Sequence, residues 1–217
     1  SDVCSSDLAK VNYVKLQDDP VHTTHINYHR VAMVRDSYQH LTTLSLGGGI
    51  IRNNLNIRLG DVNGTAYLNG LTLARFEQLV DHHTVVDHAM PHCYSNELYK
   101  NIIDDRAQGV FNGKIFVRKD AQKTNAFQSN KNLLLSDEAS MNAKPQLEIF
   151  ADDVKCSHGA TTGQLDDEAL FYLRARGIGE HAARALLNHA FAADVIEGIA
   201  HEGIKAKMLE LLNEKIR

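Results

Sequence analysis

Cys156 and His158 form a Cys-x-His pair. Residues two apart on a strand share a face, with Cα atoms about 7 Å from each other by the strand rise. That separation lets a thiolate and an imidazole reach a shared metal ion or contact one another. Two ligands are not a site, so the rest would have to come from elsewhere in the chain or from another subunit. The plainer alternative is that Cys156 is a small buried apolar residue. A denser stretch, Asp81-His82-His83-Thr84-Val85-Val86-Asp87-His88-Ala89-Met90-Pro91-His92-Cys93, offers imidazole, carboxylate and thiolate together. Its spacing is poor for a metal site: on a strand His82 and His88 share a face and His83 points the other way. His22, His25 and His29 scatter in the same manner. The expectation for these histidines is a solvent-facing strand surface or a bond to turn backbone.

Other signatures of chemistry are missing. The chain has no GxxxxGK[ST] loop, no GxSxG elbow, no HExxH and no GxGxxG after a strand. Gly47-Gly48-Gly49 runs into Ile50-Ile51-Arg52 without a P-loop lysine and reads as a tight turn. Any ATP-driven step would need a partner.

The elements that must position these residues are mostly extended. Val11–Leu16, Leu55–Leu59, Ala66–Leu73, Lys114–Arg118 and Leu147–Ala151 alternate apolar with polar residues, the period of a half-buried strand. Gly47 to Gly49, Gly60-Asp61, Asn63-Gly64, Asn69-Gly70, Asn112-Gly113 and Asp152-Asp153 read as the turns between them. A long procession of short strands without helices predicts a mainly β domain over 9–163, with sandwich, barrel and parallel β-helix all compatible. No strict repeat selects a propeller. From Gln164 the period changes. Asp166 and Asp167 suit a helix N-terminus, followed by Leu170, Phe171 and Leu173 and a stop at Gly177. A second helix runs from Glu180 to about Ile199, with Ala183, Leu186, Leu187, Ala190, Phe191, Val195 and Ile199 on one face. Gly203 separates it from a third, marked by Ile204, Met208, Leu211, Leu212 and Ile216. Residues 164–217 therefore read as a small C-terminal α-helical domain.

Composition narrows the function classes. With 217 residues, 43% of them hydrophobic, the chain can bury its own core. No apolar run approaches the roughly 20 residues of a membrane span. A formal net charge of −4 without a basic stripe makes nucleic acid a poor partner. Three cysteines, none in a CxxC pair, predict a reducing cytoplasm and exclude a zinc ribbon. Residues 1–8 have no signal-peptide character. The run Asp2-Val3-Cys4-Ser5-Ser6-Asp7-Leu8 matches the translation of a common sequencing adapter, so the expectation is an artefact at 1–8 on a chain cut off upstream. On that reading Cys4 carries no weight as a ligand.

Longer motifs are more specific. Asp105 to Ser136, then Lys144-Pro-Gln-Leu-Glu-Ile-Phe-Ala-Asp-Asp-Val-Lys-Cys-Ser-His-Gly-Ala-Thr-Thr-Gly163, then Leu170-Phe-Tyr-Leu-Arg-Ala-Arg-Gly-Ile178 resemble, in order, the core of the bacterial SufB/SufD family of iron–sulfur cluster assembly scaffolds. Gly159, where SufB has a second glutamate in Glu-His-Glu, and the lack of a cysteine near Asn132-Leu133 place the resemblance on the SufD side. The resemblance implies a right-handed parallel β-helix followed by the helical domain, and a non-catalytic scaffold. It also implies a heterodimer with SufB through the β-helices and binding of the SufC ATPase by the C-terminal helices. His158 would face the SufB interface and handle iron or a nascent Fe–S cluster, transiently and shared with the partner, with Cys156 in a less defined role. An open solenoid end also allows a homodimer in isolation. Two rivals are a secreted carbohydrate-active β-helix enzyme, which would need clustered acids or Ca²⁺ ligands and a secretion signal, and a His-rich metal-binding protein.

Overall fold

The computed structural model describes residues 7–216 and the backbone of residues 2–4. Within the adapter-like segment, Ser1, Ser5 and Ser6, together with the Cys4 side chain, lie outside the described residues. Among the described residues twelve strands run as β1 (Asp2–Cys4), β2 (Lys10–Gln17), β3 (Thr24–Met33), β4 (Tyr38–Ser45), β5 (Ile50–Leu59), β6 (Thr65–Ala74), β7 (Leu79–His88), β8 (Tyr94–Ile103), β9 (Gln108–Val117), β10 (Asn125–Leu134), β11 (Ser140–Ile149) and β12 (Lys155–Gly163). Odd-numbered strands stack in one six-stranded sheet and even-numbered strands in a second. Every pairing is parallel. The result is a parallel β-solenoid of about five turns with three helices at its C-terminal end.

Alternation makes the two sheets face one another. In β5 Ile51, Asn53, Leu55, Ile57 and Leu59 are buried while the residues between them are more open. In-register stacking then turns single apolar residues into ladders. Val31 pairs with Ile57, Ile57 with Val86, Val86 with Ile115 and Ile115 with Leu147, all within one core cluster. Coil length varies at the corners: Thr24 aligns with Ile50, 26 residues on, and Gln108 with Ser140, 32 residues on. That drift hides the repeat from a search for fixed periods. Leu8, Asp36, Asn63, His92 and Lys123 recur about once per coil with positive φ, so the corners use a left-handed residue that is not glycine.

Two predicted turns are strand interiors. Asn69-Gly70 lies within β6 and Asn112-Gly113 within β9. Their glycines serve packing: a Cβ on Gly70 would stand 2.3 Å from the Tyr99 ring, and one on Gly113 would stand 2.6 Å from Phe111. Tyr99 and Phe111 themselves meet across the interior at 5.0 Å between ring centroids. Gly70 makes room for an aromatic ring on the neighbouring strand β8, and Gly113 for the Gln128 amide and for the Phe111 ring on its own strand.

The helices are α1 (Asp167–Ala175), α2 (Glu180–Glu197) and α3 (Glu202–Lys215). The Asp166 side chain caps α1 by accepting from the backbone N–H groups of Glu168 and Ala169. His201 caps α3, so Gly203 belongs to its first turn and does not separate the helices. The buried face of α2 is Ala183, Asn188, Ala192, Val195 and Ile196, while Leu186 and, on α1, Phe171 are exposed. Val195, Ile196, Met208 and Leu212 share a core cluster with Leu44, Leu71, Leu73 and Ile102 of the even-strand sheet. The buried Lys100 of β8 fastens α2 to that sheet: its Nζ donates to the Phe191 carbonyl at 2.8 Å and pairs with Asp194. No described helix is long and apolar enough to cross a membrane.

Candidate functional site

β12 ends the even-strand sheet, and no described strand pairs along its far edge. Its register sets Cys156 beside Ala126, His158 beside Gln128, Ala160 beside Asn130 and Thr162 beside Asn132. All four partners on β10 are buried interior residues. Cys156 and His158 therefore continue inward-facing columns past the point where the solenoid stops. Cys156 packs against the core and is half-buried, whereas His158 is exposed. Burial pushes the Cys156 thiol up in pKa, partly offset by a backbone hydrogen bond from Ala126. Among the described residues no three His, Cys, Asp or Glu side chains converge as a metal site. Sequence spacing thus located a pair on one face, and the fold adds no third ligand of these types.

The column leading to His158 was not legible in the sequence. Tyr13, Leu41, Leu68, Glu97, Gln128 and His158 stand in register from β2 to β12. Glu97 is 1% exposed, and its desolvation raises the carboxyl pKa to about 7. Gln128 Nε2 donates to Glu97 Oε2 at 2.5 Å. The other carboxyl oxygen, the Gln128 amide oxygen and the Thr84 hydroxyl oxygen are all buried without a hydrogen-bond partner. Thr84 faces the carboxyl and lowers its pKa somewhat, yet closes no hydrogen bond of normal geometry. A polar residue on the inward parity of β8 and another on that of β10 are the only local signals, and they join only once register is known.

The histidine-rich stretch differs from the surface expectation. His82 and His88 point into the solenoid, at 1% and 0% exposure. One His82 ring nitrogen, Nε2, bonds the Thr72 hydroxyl at 3.1 Å, Nδ1 lies 3.4 Å from Asn53 Nδ2, and the ring packs 5.2 Å from Tyr99. Asn53 in turn accepts from Lys15 at 2.6 Å and donates to Gln17 at 2.8 Å. His88 Nε2 bonds the Ser95 hydroxyl at 2.8 Å. Burial lowers the His82 pKa to about 3 and that of His88 to about 4, so both are neutral core groups. His83 points outward, 2.9 Å from Asp81, and His92 occupies a left-handed corner. The surface expectation also fails at His29, which is buried with its Nε2 unpartnered, whereas His25 pairs with Asp19 at 3.1 Å and His22 is exposed. The stretch is scattered over interior, outer face and corner and brings no ligands together.

These features define a parallel β-solenoid whose last coil leaves inward-facing donor groups open. Residues 1–191 match the family described as SUF system FeS cluster assembly, SufBD core domain. The chain is 36% identical over 208 residues to the iron–sulfur cluster assembly protein SufD of Escherichia coli strain K12, covering 96% of this chain and 49% of that protein. It is 30% identical over 220 residues to the protein of the same name from Bacillus subtilis strain 168, covering all of this chain and 50% of that one. Protein ABCI7, chloroplastic, of Arabidopsis thaliana is 36% identical over 200 residues, covering 91% of this chain and 42% of that protein. The chain belongs to the SufBD family of iron–sulfur cluster assembly proteins, and it spans about half the length of these curated relatives.

Proposed function

We propose that this chain is a non-catalytic scaffold subunit of a cytoplasmic Suf assembly complex, pairing with SufB through the end of its solenoid and engaging the SufC ATPase through its helices. The observation that carries this reading is the last coil. β11 and β12 end their sheets, and on β12 the inward columns become exposed at His158, Ala160 and Thr162. An edge of this kind is a template for another strand, and a second solenoid docked there would cover the columns and complete the ligand set that Cys156 and His158 begin. The helices offer a separate surface, with Phe171 at 74% and Tyr172 at 55% exposure on α1. Iron or a nascent cluster is the cargo of this arrangement, held briefly between subunits by His158 with Cys156 beside it.

Co-expression with SufB and SufC from one organism tests the reading: a stable three-component complex that assembles Fe–S clusters anaerobically is expected. His158→Ala in that complex should keep assembly of the subunits and lose cluster formation. Unchanged cluster yield with His158→Ala rejects the role given to this residue.

A further inference from the structure

We propose that the Gln128 amide oxygen is a third donor of the site begun by Cys156 and His158, held in place by the buried Glu97 carboxylate group, and that the three donors suit a divalent transition-metal cation of borderline softness. The inference rests on the proposed cargo site and extends it inward by two strands.

Three observations carry it. Gln128 is 3% exposed, and its Oε1 has no hydrogen-bond partner. Leaving a buried amide oxygen unpaired is costly, because it has given up its water without gaining a partner, so the position favours whatever ligand satisfies it. The amide nitrogen is committed: Nε2 donates to Glu97 Oε2 on β8 at 2.5 Å, which leaves Oε1 as the buried acceptor without a partner. β12 is the strand on the other side of β10, and the residue it sets in register with Gln128 is His158. Cys156 stands two residues earlier on the same inward face, beside Ala126. Sulfur, imidazole nitrogen and amide oxygen together form the mixed donor set that ions such as Fe²⁺ or Co²⁺ accept. Gln128 would touch the ion. Of the three donors Glu97 bonds only Gln128, and it is a positioning residue, in the way that outer partners commonly orient metal ligands.

The test is a Co²⁺ titration of the purified chain, anaerobically and in a Cys4→Ser background, read by the thiolate-to-cobalt charge-transfer band, which Cys156→Ser should abolish. Gln128→Met, which keeps length and removes the oxygen, should weaken Co²⁺ binding by about tenfold or more while the thiolate band persists at saturating metal. Gln128→Asn, which withdraws the oxygen by one methylene, should weaken it comparably and serves if the first variant does not fold. Glu97→Leu should weaken binding and Glu97→Gln should restore it, since an amide oxygen at 97 can still accept from Gln128; a purely structural role for Glu97 would not give that rescue in the cobalt spectrum. Failure of the chain to bind Co²⁺ with a Cys156-dependent band, or unchanged affinity in both Gln128 variants, overturns the inference. The scaffold reading is scored separately by subunit co-purification and by His158→Ala in the complex, so either can fail alone.

Discussion

The stretch from His82 to Cys93 and the strand from Lys155 to Gly163 are the two regions where this chain concentrates groups able to bind metal. The first has more histidines and fewer uses for them. Its His82 and His88 are buried and hydrogen-bonded, and burial keeps them neutral. The second has one histidine and one cysteine at the end of the solenoid, beside a strand edge that no described strand pairs. Density of ligand-type residues therefore says little. What separates the regions is whether another coil covers the inward face: where one does, imidazole becomes core packing, and where none does, it remains open to a partner or an ion.

The comparison breaks first at His82. His82→Ala should destabilise the fold by about 3 kcal/mol, through a core cavity and unpaired Thr72 and Asn53 groups. Urea unfolding measures this, and a loss below about 1 kcal/mol would mean that the interior tolerates the gap and that burial does not define His82.

The second test is the pH dependence of stability. His82 and His88 have lowered folded pKa values, so the stability they contribute is present above the ordinary histidine value of 6.5 and is lost as pH falls toward about 4 and 3. Glu97 has the opposite sign: raised from 4.5 to about 7, it contributes stability below 4.5 that is lost as pH rises through 7. Glu97→Gln should therefore stabilise the protein at pH 8 by about 2–3 kcal/mol and change little at pH 4. Equal effects of Glu97→Gln at both pH values would show that its carboxyl is not desolvated.

Thiol chemistry sharpens the contrast more gently. In a Cys4→Ser background a thiol reagent should modify the half-buried Cys156 in the native protein, while Cys93, 1% exposed and donating to the Asp61 carbonyl, should react only on unfolding. Peptide mapping after brief labelling distinguishes them. The smallest effect belongs to His158→Ala, which should alter stability by less than about 0.5 kcal/mol because the side chain is exposed. A larger loss would make His158 a structural residue like those of the first region.

Much of the architecture was readable in local patterns. Alternation along β5, β6 and β9 marks strands because side-chain direction repeats every two residues whatever the rest of the chain does. Asp166 announces the start of α1 through its capping chemistry. The same local rules misplace Asn69-Gly70 and Asn112-Gly113, since the demand for glycine there comes from Tyr99 and Phe111 on other strands or positions. They place the α2 face only in part: Ala183, Val195 and Ile199 are buried as read, but the packing also buries Asn188 and Ala192 and leaves Leu186 in solvent.

By itself the sequence determined parity, turn chemistry, helix caps, the family motifs and the Cys156–His158 pair, all of which depend on neighbours a few residues away. Only the tertiary structure decided that Glu97, Gln128 and His158 form one row, 31 and 30 residues apart along the chain. The reason is physical: coils of unequal length turn at corners whose size the strand pattern does not encode, so a residue's face is set locally and its cross-strand neighbour is set by register.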